Sequence, residues 1–251
     1  MMEPVQMDKF RRLKNELTRF IMLYKFGLRE LETKIEILQE EFQLLHEYNP
    51  IEHTNSRVKS PESIFNKLYR KNCELSLPSI RSNVRDIAGL RITCSFVSDI
   101  YKIRDMLSRQ ADLTITEEKD YIHDPKPNGY RSLHLIVEVP VFMSDSQESV
   151  CVEVQIRTIA MDFWASLEHK IFYKYDKAVP IGLLEELKEA ADSAAALDQK
   201  MERLHNEVAQ IKESQPDELE DLVKQLIGAG SQLKLPASLM DMLGTATNEK
   251  E

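Results

Sequence analysis

No uninterrupted apolar run in this 251-residue sequence approaches the roughly 18 residues that a membrane span requires. The N-terminal stretch MMEPVQMDKFRRLKNEL has none of the apolar block that a secretion signal carries. On these two absences the chain is expected to be cytoplasmic and to have no membrane partner. Cysteine is scarce: Cys73, Cys94 and Cys151 are odd in number, far apart and free of C-x-x-C spacing, which argues against a disulfide framework and a zinc site. They read as small buried hydrophobes. Basic charge is also in deficit, and a net charge of −9 argues against DNA and against any general nucleic-acid coat.

That average hides a division along the chain. From Arg57 to Arg91 the local balance is +5, whereas from Leu183 to the end it is −8. A basic segment inside an acidic protein suits a confined polyanion such as a nucleotide phosphate, since duplex binding needs a broader positive surface. With 42% hydrophobic and 30% charged residues, the composition fits one ordinary globular domain plus appendages.

Apolar residues at Phe10, Leu13, Leu17, Ile21, Tyr24, Leu28, Leu31, Ile35, Leu38, Phe42 and Leu45 follow alternating steps of three and four, the period of a helix. Gly27 marks a bend or a break in it. A second stripe runs from Leu187 through Ala191, Ala194, Leu197, Met201, Leu204 and Val208 to Ile211. Between these arms, Val84 to Phe96, Leu113 to Ile122, Arg131 to Pro140 and Val150 to Thr158 are β-rich and bounded by turn residues, predicting four strands. Glu52 to Lys59 adds a fifth if it pairs. Ser63 to Arg70, Asp99 to Gln110 and Ile159 to Tyr175 read as helices. The expectation is an α+β fold with a mixed β-sheet core, flanking helices and helical N- and C-terminal arms. It divides into 1–48, 49–178, 179–213 for packing or oligomerisation, and 214–251 with a short helix after Pro216 and a mobile tail.

Ser63, Lys67 and Arg70 fall at i, i+4 and i+7 and so share one helical face, opposite Ile64 and Leu68. Arg57 and Lys59 alternate with Val58 and point together if that stretch is extended. Four cations and a hydroxyl can then meet a triphosphate; the plain reading is a solvated helix face. In VCVEVQIRT, Glu153, Gln155 and Arg157 face away from Val152, Val154 and Ile156, as a half-buried strand displaying a polar row would place them. His134 belongs to a similar alternation in RSLHLIV. The loop KPNGYRSLH, from Lys126 to His134, permits positive φ at Asn128-Gly129 and then presents the Tyr130 ring and the Arg131 cation. Tyr130 either stacks on a nucleobase, by its ring face rather than its hydroxyl, or packs inward beneath a hairpin turn. Asp86 and Glu153 are the carboxylates best placed to hold Mg²⁺ on nucleotide phosphates, which takes only one or two protein carboxylates; singly, each reads as a surface or capping acid.

Taken in order, R-x-K at Arg57 and Lys59, the Ser63/Lys67/Arg70 helix, RDIAGLRI, KPNGYRSLH, VEVQIRT and FWASLEH resemble the synthetase domain of the RelA/SpoT (p)ppGpp synthetase family, and within it the small alarmone synthetases of the RelP/RelQ type. The resemblance covers about Ile51 to Tyr175. It implies a nucleotidyltransferase-like sheet and a GTP pyrophosphokinase activity that moves pyrophosphate from ATP to the 3′-hydroxyl of GDP or GTP. It further implies that Arg57 and Arg91 hold the ATP base, that Lys59, Ser63, Lys67 and Arg70 bind its phosphates, and that Asp86 binds Mg²⁺. On the acceptor side it implies Tyr130 on the guanine, Lys126 and His134 near the phosphates, and Lys119 as a further candidate. Glu153 would orient or deprotonate the 3′-hydroxyl and share the metal, with Gln155, Arg157 and Arg131 in support. Trp164, Glu168 and His169 match a helical motif with a packing role. A homotetramer is expected from the family, together with synthesis of the alarmone without hydrolysis, because the region before the first motif is too short for the relatives' hydrolase domain and His123-Asp124 lacks further ligands. The rival readings are an inactive nucleotide-binding regulator and a nucleic-acid-modifying or RNA-binding module; single-stranded RNA binding is not supported by the sequence.

Overall fold

Period-2 alternation and β-branched residues build a five-stranded sheet at the centre of the chain. In the computed structural model, which describes residues 4–46, 48–172 and 180–213, the strands are β1 (Ile51–Val58), β2 (Ala88–Cys94), β3 (Thr114–Asp120), β4 (Leu133–Phe142) and β5 (Gln147–Thr158). Their order across the sheet is β1-β2-β5-β4-β3. β2 and β5 run parallel, and every other neighbouring pair is antiparallel. The conditional fifth strand therefore forms, pairing from Ile51↔Cys94 to Val58↔Ala88. β4 runs two residues past Pro140, where β3 has already ended at its Thr114↔Glu138 pair; a proline is tolerated in a strand with a neighbour on one side only.

Among the described residues six helices accompany the sheet: α1 (Pro4–Leu45), α2 (Pro61–Arg70), α3 (Leu77–Asn83), α4 (Val97–Ser108), α5 (Ile159–Phe172) and α6 (Ile181–Glu213). α2 starts two residues before its expected position because Ser60 caps it, its side chain accepting from the Ser63 amide, with Pro61 in the first turn. The expected strand from Val84 begins only at Ala88, since Leu77–Asn83 coils into α3, capped by Ser76. Seven residues are too few to display a helical repeat. The expected continuation of α5 to Tyr175, the helix after Pro216 and the tail lie outside the described residues, as do the side chains of Phe10 and Leu13. Residues 1–203 form one compact unit, and α6 from Leu204 onward belongs to a second. Among the described residues no helix is long and apolar enough to cross a membrane.

One sheet face is the core. Leu90, Ile92, Leu133, Leu135, Val137, Val152, Val154 and Ile156 join Tyr24, Leu28, Leu31 and Ile35 of α1 and Ile100, Ile103 and Leu107 of α4 in a single buried cluster. Cys94 is buried there and its thiol is pushed up to about 12 by burial, while Cys73 and Cys151 are partly buried; all three are free. No break occurs at Gly27, and α1 passes through it as a continuous helix. A Cβ at Gly27 would meet Val150 Cγ2 at 2.3 Å and Val141 Cγ2 at 3.4 Å, so the missing side chain lets α1 close onto β4 and β5. Gly27→Ala gains about 1 kcal/mol of helix propensity but overpacks this contact at a cost of about 1–3 kcal/mol. The variant is expected to melt below the wild type by calorimetry; an equal or higher Tm would mean that Val150 yields freely.

Candidate active site

The second sheet face is polar by the same alternation that makes the first apolar. Register sets Arg57, Gly89 and Glu153 in one row across β1, β2 and β5, and Asn55, Arg91, Gln155, His134 and Lys119 in the next row across all five strands. Asn55, Arg57, Arg91, Glu153 and Gln155 line one cleft on this face. At its edge, where β1 leads into α2, Lys59 and Lys67 converge on a single carboxylate. Lys67 Nζ lies 2.6 Å from Asp86 Oδ2, and Lys59 Nζ pairs with the same oxygen while donating to the Asp86 carbonyl at 3.1 Å. Burial pushes the Asp86 carboxyl up, but the hydrogen bonds and charges of the two lysines outweigh it and hold the group below its ordinary range. The other oxygen, Oδ1, is buried with no hydrogen-bond partner among the described residues. An ionised carboxylate with one free, dehydrated oxygen is suited to a hard cation.

Glu153 sits mid-row. Gln155 Nε2 donates to its Oε2 at 2.9 Å, and His134 Nδ1 stands 3.7 Å from Oε1. Burial raises its pKa and the Asp86 charge adds to that, yet His134 and Gln155 prevail and the net direction is down. Beyond Glu153 the loop before β4 closes a second cluster. Tyr130 OH receives Arg157 Nη2 at 2.6 Å and lies 2.7 Å from His134 Nε2. A guanidinium only donates, so the hydroxyl accepts from Arg157; its bond with His134 Nε2 runs either way with the imidazole tautomer, and where Tyr130 donates, the ring proton lies on Nδ1, facing Glu153. Arg157 also donates to Gln155 Oε1 at 3.0 Å and Ser132 Oγ at 3.3 Å. A charged chain therefore links the loop to the centre of the row.

The chain carries a family signature over this whole region: residues 56–178 match the model described as the region found in RelA / SpoT proteins. It is 54% identical over 202 residues to GTP pyrophosphokinase YwaC of Bacillus subtilis, a match spanning 80% of this chain and 96% of that protein. The chain belongs to the RelA/SpoT family of GTP pyrophosphokinases. Among solved structures, small alarmone synthetase 1 from Bacillus subtilis bound to its product pppGpp has a TM-score of 0.71 at 38% identity, covering 77% of this chain and 98% of that one. The same synthetase bound to AMPCPP has a TM-score of 0.66 at 35% identity, covering 78% and 99%.

In this RelA/SpoT family member the expected site residues fall into three groups. Lys59 and Lys67 both touch Asp86; Arg57, Arg91, Glu153 and Gln155 share the cleft; Tyr130, His134 and Arg157 form a hydrogen-bonded cluster at the loop before β4. Lys126 places its Nζ 4.6 Å from the ring centres of both Tyr121 and Tyr130. Others stay apart. Ser63 Oγ bonds only to Ser60 Oγ, at 2.9 Å, Arg70 is exposed at the end of α2, and Lys119 pairs with Glu117 at 2.6 Å. Arg131 turns away from the cleft towards Asp192 of α6. The Tyr130 hydroxyl, for which the sequence offers no role, is bonded to Arg157 and His134. His123 and Asp124 are exposed in the turn after β3.

Two residues went unnoticed in the sequence. Asp162, in the first turn of α5, accepts from Arg91 Nη1 and Arg157 Nη1 at 3.1 Å each, tying the cleft to the loop before β4. Tyr121 packs edge-on against His134 at 5.2 Å. An aspartate one turn beyond a strand end has no distinctive pattern; only the helix N-terminus after Thr158 hinted at its position.

Proposed function

We propose that this chain transfers the β,γ-pyrophosphoryl group of ATP to the 3′-hydroxyl of GDP or GTP, making (p)ppGpp. The observation that carries the reading is the polar sheet row, with a lysine-bound carboxylate at one end, an arginine-backed tyrosine at the other and Glu153 between them. Arg57 and Arg91 would hold the donor base, and Lys59 and Lys67 the donor phosphates, with Ser63 and Arg70 reaching them from α2. Tyr130, Lys126 and His134 would take the acceptor, with Lys119 at the outer edge of that row and Gln155, Arg157 and Arg131 in support. The 3′-oxygen attacks the β-phosphorus, the bond from that phosphorus to the bridging oxygen of the α-phosphate breaks, AMP leaves, and the hydroxyl proton passes to Glu153 or water. Little covalent chemistry is asked of the protein, so positioning and charge neutralisation supply most of the acceleration.

Asp86 and Glu153 would hold Mg²⁺ together with the substrate phosphates; the ion neutralises phosphate charge. The free Asp86 Oδ1 supports this assignment. In the resting protein Lys59 and Lys67 occupy the other oxygen, so binding ATP would draw these lysines onto its phosphates. The proposed location is the cytoplasm, whose ATP would serve as donor. The reading is of synthesis alone, and added (p)ppGpp is expected to persist. Labelled ATP incubated with GDP, GTP or GMP and resolved by thin-layer chromatography tests it: a pentaphosphate or tetraphosphate product with matching AMP is expected from GTP or GDP. Absence of labelled product with all three acceptors would refute it.

The assembly is proposed to be a homo-oligomer, in the form of a tetramer. Ile159, Phe163, Leu167 and Ile171 repeat every four residues on α5 with at least 40% of each surface exposed, and Leu197 and Met201 are exposed on α6. Apolar stripes of this size on a single chain mark interaction surfaces. Light scattering is expected to give a multiple of the chain mass, and Phe163→Glu to reduce it. A monomer with full activity would overturn this.

A further inference from the structure

The acceptor loop is not held by the sheet alone. Its turn is tight, with Gly129 N donating to Lys126 O at 2.8 Å, and Gly129 has φ +86°. A Cβ at Gly129 would stand 2.5 Å from Ala191 Cβ of α6. Arg131, next in the loop but one, extends along the same helix: Nη1 reaches the Ala191 carbonyl at 3.5 Å and Nη2 the Asp192 carboxylate at 3.4 Å. Trp164 of α5 packs beside Tyr130, with ring centres 6.5 Å apart, and donates its indole N–H to the Leu187 carbonyl of α6 at 3.0 Å.

α6 is itself anchored at rigid points elsewhere. Thr158 Oγ, at the end of β5, donates to the buried Asp198 carboxylate at 2.6 Å and accepts from the Met161 amide at 3.1 Å. The amide of Ser98, in the first turn of α4, donates to Glu202 at 2.9 Å. Leu187, Ala191, Asp198 and Glu202 follow one another at steps of four and seven, so a single face of the helix makes these contacts. An element fixed at β5, α4 and α5 therefore presses on the turn that carries Tyr130.

We propose that α6 is the positioning element of the acceptor loop: Ala191 against Gly129 and Asp192 on Arg131 set the orientation in which Tyr130 meets the acceptor base. The inference rests on the reading that this loop binds GDP or GTP. Neither Ala191 nor Asp192 lines the cleft. Their effect passes through the backbone of the turn, which glycine alone allows to lie this close to a helix.

The test uses the full chain and three variants: Asp192→Ala, whose side chain is half exposed, Ala191→Leu, and Lys200→Ala as control. Lys200 is an exposed residue of α6, two turns beyond Asp192. Asp192→Ala is expected to raise the acceptor KM about two- to fivefold, as befits a half-exposed ion pair, with the ATP KM and the melting temperature unchanged. Ala191→Leu is expected to raise the acceptor KM further. Trp164, the one tryptophan in the sequence, reports on the contact without turnover, and its emission should shift to longer wavelength in Ala191→Leu as the loop and α6 part. Lys200→Ala should match the wild type in both readouts. Unchanged acceptor KM in Asp192→Ala, or equal rises for ATP and acceptor, would overturn the proposal, and Asp192→Ala decides even if Ala191→Leu fails to fold. Wild-type protein that forms no product would instead refute the proposed reaction, which separates the two failures.

Discussion

Glu153→Gln is expected to lower kcat by about 10²- to 10⁴-fold while leaving the KM for ATP and for the acceptor close to the wild-type values. Glutamine keeps the shape and the contact with Gln155, so a loss confined to turnover measures the charge. His134 and Gln155 hold the wild-type carboxyl below its ordinary range against burial and against Asp86. A carboxylate so stabilised is ionised at neutral pH and is a weak base, which favours orienting the 3′-hydroxyl and sharing Mg²⁺ over removing a proton outright. The sign of the pH effect follows: a lowered pKa means the charged form is present above it and lost only as pH falls through it. The acid limb that Glu153 contributes to kcat/KM therefore lies below 4.5, the ordinary glutamate value, and a limb near neutrality would come from another group. A near-normal rate in Glu153→Gln would make the residue structural.

The parts of this fold that could be read from the sequence are those in which a local repeat reports a global face. The alternation in VCVEVQIRT separates Glu153, Gln155 and Arg157 from Val152, Val154 and Ile156, and the sheet keeps that separation because one face must be dry. Ser63, Lys67 and Arg70 were legible as one face of a helix, but the convergence of Lys67 with Lys59 on Asp86 was not. It depends on β1 pairing with β2, which brings Lys59 beside Asp86, 27 residues on. Gly27 carried the opposite lesson. A helical glycine usually signals a break, whereas here the helix is unbroken and the glycine serves Val150, more than a hundred residues away. Arg131 looked like a cation for phosphate, and its partner 61 residues on, Asp192, has no local signature. Helix-to-loop docking of that kind is a tertiary fact, written in no periodicity.

Tyr130→Ala is expected to raise the KM for GDP or GTP about tenfold or more, since a base stacked on an aromatic ring is worth about 1–3 kcal/mol and each 1.4 kcal/mol is a decade. The ATP KM should hardly move, because the donor base is assigned to Arg57 and Arg91, on the far side of Glu153. The ring is crowded in the resting protein: Tyr121 lies 6.0 Å away edge-on, Trp164 6.5 Å away, and Lys126 Nζ and Arg157 Cζ stand 4.6 and 5.1 Å from its centre. Lys126 is the most readily displaced of these, being an exposed side chain on the loop itself, so an acceptor base would take the place of its ammonium group while the phosphates attract that charge elsewhere. Tyr130→Phe separates the ring from its hydroxyl. The ring persists and the acceptor KM should stay within about twofold, but Arg157 and His134 each lose a hydrogen bond. Arg157 retains Gln155, Ser132 and Asp162, whereas His134 loses the contact that fixes its ring beside Glu153. The ring is then free to turn, and kcat should fall, about tenfold for each ~1.4 kcal/mol of transition-state stabilisation lost. If instead Tyr130 serves only to pack the loop, Tyr130→Ala would weaken ATP and acceptor together and lower the melting temperature. Donor KM, acceptor KM and Tm measured side by side on both variants decide between stacking and packing.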